Sequence, residues 1–403
     1  MTMNIMILGI GAVGSVAAMK FQQKAIFEKI IVADQRLGPI KELAGRFNDP
    51  RMSQAQIDAS ELTEVKRTMR ETGVGLLLNA TLPRFNLTLM EACLENGTHY
   101  MDLASTWAVN EGKRIIKPLG HDQFTMHEHF ARRGLIGITG MGIDPGVSNI
   151  FAAYAARNIF DEIDEILVRD GDGGIVEGYG FAPTFSPWVN IAECISMPVV
   201  YENGEHRLVE PFSGTEIFDY PEIGPLKSCL VEHEEVATIP RHIPCRRADF
   251  KYALGDRFIE VLRTLHSLGL TRSDPVEVSG VQVIPRAVVC ALLPDPAKLG
   301  GKVTGKVCVG TLVKGKKDGR EKAVYLYTVT DHQEAYRDMG VTATAYQTGI
   351  PPVIAAELIA EGIIREPGVF APEQLDPDPF MERLPRNGLP WAIREERLTR
   401  EET

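Results

Sequence analysis

At 403 residues the chain exceeds one small core, and ~100–200 residues per domain gives two or three units. Its 44% hydrophobic and 24% charged residues are ordinary for a globular protein, and a net charge of −11 without a basic block excludes nucleic acid as a partner. No apolar run approaches the ~20 residues of a membrane span, and six scattered cysteines without a CxxC pair exclude a zinc ribbon or a disulfide scaffold. No metal centre is expected.

The first element lies in "NIMILGIGAVGSVAAMKF", residues 4–21, where an apolar strand runs into a glycine turn and an apolar-periodic helix. No basic segment or small-residue cleavage site precedes it, so no export signal is expected and reduced thiols point to the cytoplasm. A second apolar run, "KIIVAD", ends in Asp34, twenty residues after Gly14. Strand, turn, helix, strand and acid at this spacing predict a dinucleotide site. Gly9 permits the tight turn, Gly11 lets the backbone approach a pyrophosphate, and Gly14 allows close helix–strand packing. Ala12 and Val13 open the helix, whose free N–H groups and dipole favour the diphosphate. Asp34, followed by Gln35 and Arg36, is placed to accept hydrogen bonds from the adenosine ribose. Its carboxylate repels a 2′-phosphate and so favours NAD(H); Arg36 partly compensates, which leaves NADP(H) open.

Alternation continues with a strand over 54–58, a helix from about 61, a strand ending at Ala80, a helix over about 86–96 and the strand "HYMDLA". This pattern predicts a parallel, doubly wound α/β sheet of the Rossmann type, with ligands beyond the carboxyl ends of its strands. Asp58, Ala80, Thr81, Pro83 and Ala104 are therefore candidate cofactor-edge positions; the last four also read as plain turn residues.

Residues 132–160 read as a sixth strand, a loop and a helix, with Asp144 as N-cap and Pro145 as the first helical residue. Beyond about 160 longer strands take over: "EIDEILVRDGDGG", "ADFKYAL", "GKVTGKVCVGTLVKG" and "EKAVYLYTVTD". The last two are joined by Lys316-Lys317-Asp318-Gly319, a hairpin turn. With helical "GDRFIEVLRTLHSLGL" among them, they predict an α+β domain with a mixed or antiparallel sheet and helices on one face. Helices punctuated by Gly-Ile-Pro-Pro and Gly-Val-Phe-Ala-Pro end the chain, and only about the last eight residues look free to fray. Titratable candidates in this half are His233 with Glu234 and Glu235, Asp170 with Asp172, and the pair Asp331-His332.

Several longer stretches carry more than spacing. "GIDPGVSNIFAAYA", "GFAPTFSPWVNIAE", "DYPEIGPLKS", "LLPDPAKLG", "DHQEAYRDMG", "QTGIPPVIAAELIAEG" and "LDPDPFMERLPRNGLPW" together resemble the saccharopine dehydrogenase family. Within it they look most like the polyamine branch, the carboxynorspermidine and carboxyspermidine dehydrogenases, across essentially the whole chain and in the same order. The resemblance implies a Rossmann domain (1–125 with the returning C-terminal helices of 350–403) and a catalytic, dimerising domain (126–349). It implies a homodimer that makes or breaks a C–N bond by hydride transfer to an imine carbon, the imine coming from aspartate semialdehyde and a diamine. The family's Asp-Pro-Gly aspartate falls on Asp144 as acid/base. A cysteine proposed in saccharopine reductases is replaced here by Asp170-Gly171-Asp172. Asp34-Gln35-Arg36 also departs from the neutral or basic pattern suited to NADPH, and Trp188 is a further departure.

Imine reduction needs an acid to keep the nitrogen protonated, and a buried distal ammonium needs a carboxylate partner. Asp144, Asp172 and Glu235 are the expected catalytic carboxylates, with His233 as proton relay and Asp170 and Trp188 on the substrate. A tryptophan face binds an ammonium by ~0.5–2 kcal/mol, with core packing as the alternative role. The expected partner is a small amine or amino acid. Alternatives are an NAD-dependent oxidative amine, lysine-type or saccharopine dehydrogenase, and a homospermidine synthase-like transferase that keeps its NAD bound.

Overall fold

The computed structural model describes residues 2–46 and 49–397. Strands β1 (Met3–Leu8), β2 (Phe27–Asp34), β3 (Met52–Gln56), β4 (Leu76–Asn79), β5 (His99–Asp102) and β6 (Ile136–Ile138) form a parallel sheet ordered β3-β2-β1-β4-β5-β6. Ile5 and Ile7 of β1 enter one core layer while Met6 and Leu8 enter the other, as expected for a strand covered on both faces. The order reverses between β1 and β4, so the glycine turn after β1 lies at the switch point of the sheet. Helix α1 (Ala12–Gln22) follows that turn.

Strands β7 (Glu162–Asp172), β8 (Arg247–Tyr252), β9 (Lys306–Lys317) and β10 (Arg320–Asp331) form the centre of a second sheet. It is mixed, because β7 and β8 are parallel while β9 pairs antiparallel with β7 and with β10. Asp318 and Gly319, both at positive φ, close the β9–β10 hairpin at the place the sequence marks. Side chains alternate along β7: Ile166 and Val168 lie in the clusters beneath the helices, whereas Leu167 packs on the other face with Cys308, Leu312 and Tyr325. Asp170 and Asp172 continue the Ile166–Val168 row. That face is covered by α2 (Val147–Asn158), α3 (Pro187–Ile195) and α4 (Glu234–His242). The opposite face carries the hairpin of residues 216–230.

The C-terminal part serves both sheets. Helices α5 (His332–Met339), α6 (Ala343–Gly349) and α7 (Pro351–Ala360) follow β10, and α6 and α7 pack on α1. Strand β11 (Gly368–Phe370) adds parallel to β6 as a seventh strand, and β12 (Trp391–Glu395) pairs antiparallel with β10. Sheet membership crosses the expected divisions at 125 and 350: β6 belongs to the first sheet and β12 to the second. A short strand announces itself by pattern, but its sheet is chosen by tertiary packing; the Trp391 ring lies 5.4 Å from Tyr154 of α2. Most of the terminal stretch expected to fray, from residue 398 on, lies outside the described residues.

Candidate active site

The chain turns at Gly9 with φ of 101°. A Cβ added at Gly9 would lie 2.6 Å from the Ala80 carbonyl oxygen, and one at Gly14 would lie 1.9 Å from that of Gly9. Gly11 instead faces open space, room a pyrophosphate needs. No side chain caps α1 and no acid sits in its first turn. Its free N–H groups, those of Ala12 and Val13 among them, therefore fit an anion. Asp34 is only 7% exposed; its Oδ2 accepts the Ile10 N–H at 2.9 Å and its Oδ1 the Arg36 N–H at 2.8 Å. Roughly four acceptor sites on a carboxylate leave two for ribose hydroxyls. The Gln35 carbonyl accepts from Gln56, while the Arg36 guanidinium is 60% exposed and 3.6 Å from Asp34.

The cofactor-edge residues divide. Ala80 and Thr81 adjoin the glycine turn, and Asn79 Oδ1 holds both the N–H and the hydroxyl of Thr81. Pro83, itself buried, begins a 3-10 turn. Asp58 accepts the N–H and hydroxyl of Ser60, a turn that explains it without a ligand. The Ala104 carbonyl accepts from Asn86 at 2.8 Å, and the next N–H, Ser105, donates to Glu234 Oε1 at 2.9 Å. That bond joins the cofactor edge of the first sheet to the acidic cluster of the second.

The cluster gathers side chains from separate elements. His233 occupies the N-cap position of α4 and stacks on Phe250 of β8, ring centroids 3.7 Å apart. Its Nδ1 meets Glu235 Oε2 at 2.5 Å, and Glu235 Oε1 accepts the Ser148 hydroxyl at 2.7 Å. Donor atoms of His233, Glu234 and Glu235 lie within 4.8 Å of one another, a metal-like spacing, yet each already has a protein partner. Asp144 stands in the turn before α2. It is not the N-cap: Gly146 takes that position, the helix begins at Val147, and Pro145 lies outside it. The Asn149 side chain accepts the Gly146 N–H at 2.9 Å, so the turn is closed without Asp144. The Asp144 carboxylate is not used in that turn and lies against Asp170, and its Oδ2 and the Asp170 Oδ1 are buried with no other hydrogen-bond partner among the described residues.

Burial dominates the electrostatics. It raises Asp144 well above the usual carboxylate range, helped by the neighbouring Asp170. Asp170 is pushed up to about 8 by burial and then by Asp172, and burial takes Glu193 of α3 to about 8. Asp144, Asp170 and Glu193 are half-buried as whole residues. Burial disfavours a charge on His233, but Glu235 outweighs it and holds the imidazolium well above its ordinary value. Asp172 differs: Oδ1 accepts the Gly174 N–H at 2.7 Å and Oδ2 the Thr184 hydroxyl at 3.2 Å. The site thus sets acids raised by burial beside a carboxylate already taken up by two hydrogen bonds. Two surface hollows of about 350 and 480 Å³ touch neither the glycine turn nor Asp144, so chemistry rather than volume marks the site.

Of the expected substrate residues, Asp170 lies in this cluster, whereas Trp188 has its ring face occupied by the Arg286 guanidinium, 5.1 Å from the centroid. Glu193 was missed; its signal was a lone carboxylate in the otherwise apolar helix "PWVNIAECI". Asp102 was missed too. At the end of β5 it accepts from Tyr100, Gln123 and the Gly140 N–H, and burial raises it to about 7.

Residues 5–138 match the saccharopine dehydrogenase NADP binding domain and residues 142–389 the saccharopine dehydrogenase C-terminal domain. The chain belongs to the saccharopine dehydrogenase family. It is 34% identical to carboxyaminopropylagmatine dehydrogenase of Synechocystis, covering 96% of both chains. Against carboxynorspermidine synthase of Vibrio alginolyticus it is 35% identical, covering 98% of this chain and 97% of the other. The fold is that of saccharopine dehydrogenase (L-Glu forming) from Saccharomyces cerevisiae, with a TM-score of 0.71 at 13% identity over 98% of this chain and all of that one. As a member of the family, the protein is an NAD(P)-dependent oxidoreductase acting on a CH–NH group. Among the described residues no helix is long and apolar enough to cross a membrane.

Proposed function

We propose that the enzyme reduces the imine formed between aspartate semialdehyde and a diamine, giving a carboxylated polyamine. The observation that carries this reading is a surplus of carboxylates over the cationic His233 set among them: Asp144, Asp170 and Glu193, with Asp172 at the end of β7. The relatives' names, carboxyaminopropylagmatine dehydrogenase and carboxynorspermidine synthase, agree with a carboxylated polyamine product.

Amine and aldehyde condense with loss of water, and the bound nicotinamide supplies the hydride that the imine carbon accepts. Asp144 keeps the reacting nitrogen protonated, and the His233–Glu235 pair relays protons. Asp172, with Asp170 and Glu193, receives the distal cation; a cation arriving there replaces protons on the last two. The mature assembly in this reading is a cytoplasmic homodimer joined through the second sheet, whose strands carry Ile217 and Ile393 at 69% and 44% exposure.

Cofactor choice follows from Asp34. A 2′-phosphate next to its carboxylate meets like charge in a partly desolvated pocket, so NADH should bind tighter than NADPH. Tighter NADPH binding in a titration of both would mean that Arg36 decides instead. For the reaction, diamines with aspartate semialdehyde are screened for NADH and NADPH oxidation, with mass detection of the amine product. NAD that stays bound through purification, with product formed and no net NADH change, would move the enzyme to the transferase reading.

A further inference from the structure

The motif "DHQEAYRDMG" contains a histidine that the reaction above leaves unused. His332 is 0% exposed. Its Nδ1 accepts the Ala343 N–H at 3.0 Å, so the ring is the neutral tautomer with its proton on Nε2. That Nε2 lies 3.5 Å from Asp172 Oδ1 and has no hydrogen-bond partner among the described residues. A Cβ at Gly174 would fall 2.6 Å from Asp172 Oδ1 and 2.8 Å from His332 Nε2, so this corner is closed by bare backbone. On the other side, Thr184, which donates to Asp172 Oδ2, lies 2.9 Å from the Thr344 hydroxyl of α6.

We propose that His332 is a positioning residue for Asp172: its unpaired Nε2–H is placed to close on Oδ1 when substrate binds and, with the Gly174 N–H and the Thr184 hydroxyl already bonded, leaves one acceptor site turned toward the cationic nitrogen of the substrate. This rests on the reading that Asp172 receives that cation. The geometry assigns a division of labour at the end of β7. Asp172 accepts from two donors, Gly174 and Thr184, with the His332 Nε2 3.5 Å away as a third from another segment, while Asp170, two residues earlier in the same row, keeps a buried oxygen unpaired among the described residues. Asp170, Tyr252 and His332 are the titratable groups that face Asp172. His332 reaches the substrate only through the carboxylate it orients.

A double-mutant cycle on the full-length enzyme tests this, reading kcat, KM for the diamine, cofactor Kd and thermal midpoint. Asp172→Asn is expected to raise the diamine KM about 10- to 100-fold, and His332→Met about tenfold, with cofactor Kd unchanged within about twofold. The double variant should be no worse than Asp172→Asn alone. His332→Gln keeps a donor at the ε position and should recover most of the loss, and it stands in should the Met variant not fold. Multiplying effects in the double variant, with Asp172→Asn impaired as expected, would leave His332 a packing residue only and overturn the inference. An unchanged diamine KM in Asp172→Asn would instead remove the reading of Asp172 itself, and His332's role with it.

Discussion

The two halves of the site are built from different materials. On the nucleotide side the backbone does the work: a left-handed Gly9, an uncapped helix start and one acid, all within the first 36 residues. On the carboxylate side the backbone only delivers side chains, from the turn before α2, the end of β7, the middle of α3 and the start of α4. A backbone site needs local spacing, so a short stretch of sequence specifies it. A side-chain site needs the whole second sheet, so it exists only after folding.

That contrast predicts which measurements respond to which residues. The largest effect belongs to Asp144→Asn, for which kcat should fall roughly 10²–10⁴-fold while cofactor Kd holds, because general acid/base catalysis is lost. Its thermal midpoint should not fall, since Asn149 and Gly146 close the turn without it. Near-normal turnover in a folded variant would return the acid role to Asp170 or Glu193. Asp34→Ser is the mirror case: loss of charge-assisted bonds to ribose, about 1.5–3 kcal/mol, weakens NADH binding about ten- to hundredfold with amine KM little changed. Cross-talk between these two variants would break the division.

The acids make the second half pH-sensitive. Asp170 and Glu193 hold protons up to about 8, and a diamine cation that takes their place is helped by their loss, so the diamine KM should fall as pH rises toward 8 and level off above it. For stability the sign is the reverse. Their folded pKa values exceed the ordinary 3.8 and 4.5, so the native state binds more protons between roughly pH 4 and 8 and stability falls as pH rises through that window. Asp170→Asn removes part of this slope and should raise the thermal midpoint above pH 8 by about 1–3 °C. A midpoint for that variant that tracks wild type at every pH would contradict the assignment. The smallest effect is expected at Trp188: with Arg286 on its ring face, Trp188→Phe should change the amine KM less than about twofold.

What the sequence disclosed follows the same line. Gly9, Gly11, Gly14 and Asp34 were legible because a nucleotide turn is a matter of neighbours along the chain, and the β9–β10 hairpin because Asp318-Gly319 accepts positive φ. Asp144 was legible as important and misread as a cap, since Asp-Pro before an apolar helix is the usual signature of one. Only the fold shows Gly146 in that position. Glu193 was beyond spacing, a single acid in its helix; His332 was legible as a titratable candidate, but its place beside Asp172, 160 positions earlier in the chain, is visible only in the fold. The sheet membership of β6 and β12 depended on long-range pairing that a three- or five-residue strand does not encode.

The central claim is that the carboxylates in excess of His233 exist for a cation remote from the reacting nitrogen. Catalytic efficiency with 1,4-diaminobutane is compared with that of butylamine, under the same carbonyl partner and cofactor, which isolates the distal charge. A charge-assisted hydrogen bond of ~1.5–3 kcal/mol predicts about a ten- to hundredfold preference for the diamine. Equal efficiency for the two amines, or activity confined to substrates with carboxylates at both ends, would contradict the account and place the enzyme on amino-acid substrates.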